Sequence, residues 1–164
     1  GLQAQLDRFL VQIDVDYPDR ATERNILLAT TGSEEQTSEQ VFEAAELVAA
    51  QKVLRRMPVG DKVVDLILDI VRACRPEESS ASPSIRNSVS WGPGPRAAQA
   101  LMLAVRARAL IDGRLAPSSE DVVALTRPVL SHRMALSFAA RARGESLAAL
   151  IDDVTQSASR AKAA

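Results

Sequence analysis

The sequence predicts a mainly α-helical fold, and three observations carry that expectation. Of 164 residues, 46% are apolar but only 3% aromatic, with Ala and Leu dominant, which favours close-packed helices over sheets built from Val, Ile, Tyr and Phe. Apolar residues recur three to four positions apart through most of the chain. Pro and Gly stand where those periodic runs begin and end. A chain of this length is enough for one domain with a hydrophobic core.

One segment breaks the helical pattern. From Val11 to Tyr17, apolar Val11, Ile13 and Val15 alternate with Gln12, Asp14 and Asp16, the period-2 signature of a strand with one buried face. A lone strand satisfies neither its backbone nor its apolar face, so it is expected to belong to a sheet supplied from outside this chain or from another copy. Together with an opening, "GLQAQLDRF", that starts in mid-pattern, this reads as a fragment.

The helices follow in order. Pro18 suits a first helical position with Asp19 in the first turn, and "RATERNILLATT" runs on to Gly32. The polar "SEEQTSEQ" is a loop. From about Glu43 to Arg56, Leu47, Ala50, Leu54 and Met57 share one face and the helix ends near Pro58. In "GDKVVDLILDIVRACR", Lys62, Asp65, Asp69 and Arg72 form a narrow polar stripe and apolar residues fill the remaining circumference, so this helix should be the most buried. Cys74 near its end reads as a small core hydrophobe. Residues 76–92 read as a long Ser-rich loop. A helix over about 95–112 presents Ala98, Leu101, Val105 and Ala109 and stops at Gly113. "APSSEDVVAL" carries a capping box of Ser118 and Asp121, and Pro128 must end or kink the helix it opens. The last helix spans about 145–157, with Leu147, Leu150, Ile151 and Val154 on one face, and the tail 158–164 is expected to be disordered.

Twenty Lys and Arg against twenty-one Asp and Glu leave a formal charge of -1, so no global field draws the molecule onto nucleic acid or an anionic membrane. No apolar run approaches the roughly 20 residues needed to span a bilayer, and a single cysteine fits a reducing cytoplasm. One Cys and one His, His132, offer no metal cluster, so no metal site is expected. Phosphate-loop, dinucleotide and zinc-hydrolase motifs are missing from the sequence. His132 reads as a structural or surface residue and Trp91 as a packing anchor.

Two arginines stand out. Arg96 falls in the first turn of the helix opened by "WGPGP", where free N–H groups make the terminus positive and disfavour a cation. Pro95 pre-sets the first helical φ, and Gly92 and Gly94 allow backbone angles closed to other residues, so this start is built with care. Either Arg96 and the turn at Gly94 and Pro95 receive a polyanion, or Arg96 lies in solvent or pairs with a nearby carboxylate. Arg8, in "QLDRF", either reaches across an interface toward a neighbour's phosphate or forms a surface pair with Asp7.

Four stretches resemble the C-terminal part of MoxR-type AAA+ ATPases: "AQLDRFLVQIDVDYPDRATERNILL", "LRRMPVGDKVVDLILDIVRACR", "WGPGPRAAQALMLAVRARALIDGR" and "APSSEDVVALTRPVLSHRMAL". The resemblance covers about residues 2–140. It implies that residues 1–17 end the α/β ATPase core, with its last strand, and that 18–157 form the helical lid over the nucleotide. By this resemblance Arg96 matches the sensor-2 arginine that meets the γ-phosphate of ATP, with Gly94 and Pro95 beside it. Arg8 matches the arginine finger that serves the adjacent subunit of a hexameric ring. The family's phosphate loop and Mg²⁺-binding acids precede the matched segment, so ATP with Mg²⁺ would be held mainly by the core and this piece alone would be inactive. The commoner motif G-A-S-P-R-A stands here as Gly92-Pro93-Gly94-Pro95-Arg96-Ala97, which keeps the proline and arginine in register. The family also implies a chaperone-like role and a partner carrying a von Willebrand factor A domain. A stand-alone helical adaptor that binds a protein and no nucleotide is the alternative.

Overall fold

The computed structural model describes residues 1–34 and 37–164; Glu35 and Gln36, in the expected 33–40 loop, lie outside the described residues. The elements in chain order are α1 (Leu2–Leu6), α2 (Arg20–Thr31), α3 (Ala44–Arg56), α4 (Asp61–Ala73), α5 (Pro83–Ser88), β1 (Val89–Trp91), α6 (Pro95–Ile111), α7 (Ser119–Leu130), a 3₁₀ turn (Ser131–Arg133), β2 (Ala135–Leu136), α8 (Phe138–Ala142) and α9 (Leu147–Ala163). The mainly α expectation holds.

Four helices make the core. α4 packs against α6, α7 and α9, and α7 lies against both α6 and α9. Leu66, Ile67, Ile70 and Val71 of α4 meet Leu101 and Val105 of α6, Val122, Val129 and Leu130 of α7, and Ile151 of α9, all fully buried or nearly so. Each such side chain contributes about 1.5–3 kcal/mol by leaving water. α6 brings Ala97, Ala100, Ala104 and Ala109 to its buried face, and these small residues let neighbouring helices approach closely. α4 is the central helix as expected, although Leu68 stays 44% exposed, so the apolar arc is narrower than the sequence suggests.

Helix ends follow capping chemistry. α6 closes with Gly113 at φ +73, where Arg114 N–H donates to Ala109 O at 2.8 Å and Gly113 N–H to Leu110 O at 3.0 Å, the paired bonds of a Schellman turn. The Ser118 capping box forms at the start of α7, and Glu43 caps α3 in the same reciprocal way with Glu46.

Residues 11–17 pair with no strand among the described residues, the sheet expected for them being one supplied from outside this chain. Ile13, Val15 and Tyr17 are exposed. Several expectations need correction. α2 starts at Arg20 because Asp19 is its N-cap, accepting from Thr22 N–H at 2.7 Å. Neither α2 nor α3 buries a residue; of the face expected on α3 only Leu54 is partly covered, with Met57 buried just beyond the helix end. The 76–92 stretch holds α5 and β1, because Ser82 caps Ile85 N–H and Pro83 occupies the first turn. Pro128 does not end α7, which continues to Leu130 before tightening into the 3₁₀ turn. α9 runs to Ala163 rather than stopping near 157, and Lys162 Nζ reaches Asp69 Oδ2 of α4 at 3.1 Å.

β1 and β2 form a short antiparallel pair, Val89 opposite Leu136 and Trp91 opposite Ala135. It ties the chain entering α6 to the chain leaving α7. No helix among the described residues is long and apolar enough to cross a membrane.

Candidate functional site

The turn before α6 is held from below. Gly92 packs so closely on the end of α4 that a Cβ there would lie 2.7 Å from Cys74 O and 2.8 Å from Arg75 Cα, both backbone atoms. Arg75 Nε donates to Pro93 O at 2.8 Å, and Pro93 is buried. The need for glycine at 92 is therefore close approach. Neither Gly92 nor Gly94 has a positive φ, which corrects the expectation of special backbone angles. Gly94 is the N-cap of α6 at φ -82, ψ -174, with nothing within 4 Å of where a Cβ would be.

Pro95 opens α6 and Arg96 follows it, 59% exposed. Arg96 Nη1 lies 4.0 Å from Asp7 Oδ2, at the limit of an ion pair. The guanidinium thus stands largely exposed on a fixed turn, with Asp7 at its edge. An exposed arginine beside the opening N–H groups of a helix suits a multiply charged oxyanion, and Arg96 and the turn at Gly94 and Pro95 are the residues here that would hold one.

The other side of Asp7 leads to a residue that sequence reasoning missed. Arg133, whose side chain is only 3% exposed, donates from Nε to Asp7 Oδ1 at 3.1 Å, from Nη2 to Asp7 O at 3.1 Å and to Phe9 O, and from Nη1 to Leu10 O at 3.0 Å and Val129 O at 2.6 Å. Burial pulls its guanidinium pKa down from the ordinary value, while the Asp7 carboxylate opposes that shift. His132 Nε2 lies 2.7 Å from Phe9 O, and Gln12 N–H donates to Pro128 O at 2.7 Å. His132 is thus a buried structural residue.

Arg8, between two residues held by Arg133, is exposed and makes no ion pair among the described residues. Its expected surface partner Asp7 is engaged by Arg133 and Arg96 instead. The structure therefore sets Arg133 and Arg96 at the two oxygens of one carboxylate, with Arg8 its exposed neighbour in sequence. The only signal for Arg133 was its position between the apolar "PVL" and "MAL" runs, since its acceptors in Asp7, Phe9 and Leu10 lie more than 120 positions away.

Below the site a second cluster sets the α6–α7 corner. Asp121, fully buried, accepts from Arg114 Nη2 at 2.6 Å and Nη1 at 2.7 Å, from Arg108 Nη1 and from Ser118 N–H at 2.7 Å. Arg114 first, then Ser118 N–H and Arg108, hold its carboxyl well below the usual carboxylate range against the opposing effect of burial. No group of three or more His, Cys, Asp or Glu among the described residues is placed to hold a metal ion.

The AAA lid domain family matches residues 83–154, from α5 into α9. The chain is 31% identical over 154 residues to "Chaperone MoxR1" of Mycobacterium tuberculosis, covering 94% of this chain and 41% of that protein. The chain carries an AAA lid domain of the MoxR type. This lid is also 32% identical to "Protein MoxR" of Paracoccus denitrificans, across 91% of this chain and 48% of that one. A solved structure of a "putative ATPase" from Cytophaga hutchinsonii superposes with a TM-score of 0.84 at 21% identity, covering 94% of this chain and 47% of its own, which establishes the shared fold. The MoxR-type lid described here thus spans less than half the length of each of these relatives.

Proposed function

We propose that this MoxR-type lid senses ATP in an AAA+ remodelling ATPase, with residues 1–17 as the end of the ATPase core and the helices beyond as the lid. The observation that carries the reading is Arg96, exposed at the start of α6 on a turn that Gly92 and Arg75 fix to α4. Bound ATP, with Mg²⁺ held mainly by core residues, supplies the phosphoryl group to be cleaved. Arg96 binds and orients its γ-phosphate from the lid side, a role supported by the guanidinium's fork geometry and by the helix start beside it. A ligand shifts a conformational balance only through contacts that differ between states. A phosphate that draws Arg96 inward thus favours the closed lid, and its loss after hydrolysis releases it.

Arg8 is assigned in the same scheme to the neighbouring subunit of a ring, where an arginine supplied in trans stabilises charge developing on the phosphoryl group. Support comes from its exposure beside a residue, Asp7, whose charge is taken up elsewhere. The ring, its hexameric count, a cytoplasmic chaperone-like role and a partner with a von Willebrand factor A domain complete the proposal.

Arg96→Ala in the intact ATPase tests the central claim. Hydrolysis and affinity for ATP should both fall; unchanged turnover and affinity overturn it. Arg8→Ala subunits should bind ATP normally yet poison wild-type rings on mixing, and activity that tracks only the wild-type fraction removes the trans role.

A further inference from the structure

Asp7 divides its two carboxylate oxygens between two cations of opposite character. Oδ1 meets Arg133, which is sealed in the lid, and Oδ2 faces Arg96, which is open to solvent. Arg133 also bonds the main chain of Asp7, Phe9 and Leu10, so its acceptors bracket Arg8 on both sides. We infer that Asp7 and Arg133 are positioning residues that couple phosphate occupancy at Arg96 to the presentation of Arg8. This rests on the roles proposed above for the two arginines.

The outer contact is the exchangeable one. At 4.0 Å and largely exposed, the Arg96–Asp7 pair is weak, whereas phosphate oxygens take a guanidinium bidentately and with greater charge. When Arg96 turns to phosphate, Asp7 loses its outer cation and its charge is balanced by Arg133 alone. Asp7 then settles onto Arg133, and the turn carrying Arg8 settles with it. Linkage makes the effect reciprocal: whatever fixes Arg8 against a neighbour frees Arg96 for its own nucleotide.

The test is a double-mutant cycle in the intact ATPase, reading affinity for a non-hydrolysable ATP analogue. Asp7→Asn keeps the side chain's shape but removes the competing charge, so affinity should rise about two- to fivefold, and the gain should vanish in an Arg96→Ala background. If Arg96→Ala alone leaves affinity unchanged, the nucleotide reading itself fails. If Arg96→Ala weakens binding but Asp7→Asn brings no gain, or the same gain in both backgrounds, the coupling is overturned. Should Asp7→Asn not fold, hydrogen exchange at residues 8–10 decides. Saturating analogue should slow exchange in the wild type and leave it unchanged in equally saturated Arg96→Ala; equal protection in both overturns the coupling.

Discussion

Arg133 Nε donates to Asp7 Oδ1 at 3.1 Å across a sequence separation of 126 residues, and this bond anchors the N-terminal segment to the helical lid. Arg133 also bonds the carbonyls of Asp7, Phe9 and Leu10, and His132, Pro128 and Arg96 each add a single contact.

Replacing Arg133 should therefore loosen residues 1–12 and weaken the lid itself. Arg133→Met removes donors from several acceptors at once, and a loss of about 2–3 kcal/mol is expected, less than for a fully buried pair because Asp7 is 29% exposed. Urea unfolding would show the midpoint fall with little change in slope, and limited proteolysis should cut before residue 12 sooner than in the wild type.

The turn at 92–94 offers a matched comparison. Gly92→Ala forces a Cβ against Cys74 O and Arg75 Cα and should cost about 1–3 kcal/mol. Gly94→Ala, at an ordinary φ with open space around it, should shift the thermal midpoint little. Equal effects at the two sites would contradict the packing described.

Asp121 gives the fold an acid-sensitive joint. Its carboxyl titrates well below the ordinary value when folded, chiefly because of Arg114, so the unfolded chain takes up a proton at that residue first. The stability it contributes is fully present above the unfolded value of about 3.9 and is lost as pH falls toward the folded one. Urea unfolding from neutral pH down to about pH 3 should show this decline, and Asp121→Asn, less stable at neutral pH, should flatten it.

Cys74 should be chemically silent. Burial pushes its thiol up to about 12, and the side chain is fully covered. A thiol-specific reagent at about pH 8 should label it only as the chain unfolds, so rapid native-state labelling would disprove its core position.

What was legible in the sequence is what local chemistry decides. Gly94 and Pro95 marked the start of α6, Gly113 its end, and the Ser118–Asp121 spacing the start of α7, because each acts on groups within a few residues. The α4 pattern from Val63 to Val71 showed which helix would be central. α5 was hidden because Ser82 and Pro83, a cap and a first-turn proline, sit in a run of serines that reads as loop. Arg133 and the outer face of Asp7 stayed hidden for a different reason: their partners are far along the chain, and no periodicity encodes them. For residues 11–17 the alternating pattern was real, but a ladder depends on a neighbouring strand rather than on the segment itself.

Close seating of Gly92 on the backbone of Cys74 and Arg75 makes the head of α6 and the tail of α4 a single stiff piece. In the proposed scheme, a phosphate bound at Arg96 would load α4 through this seat directly, with little give in the turn between them.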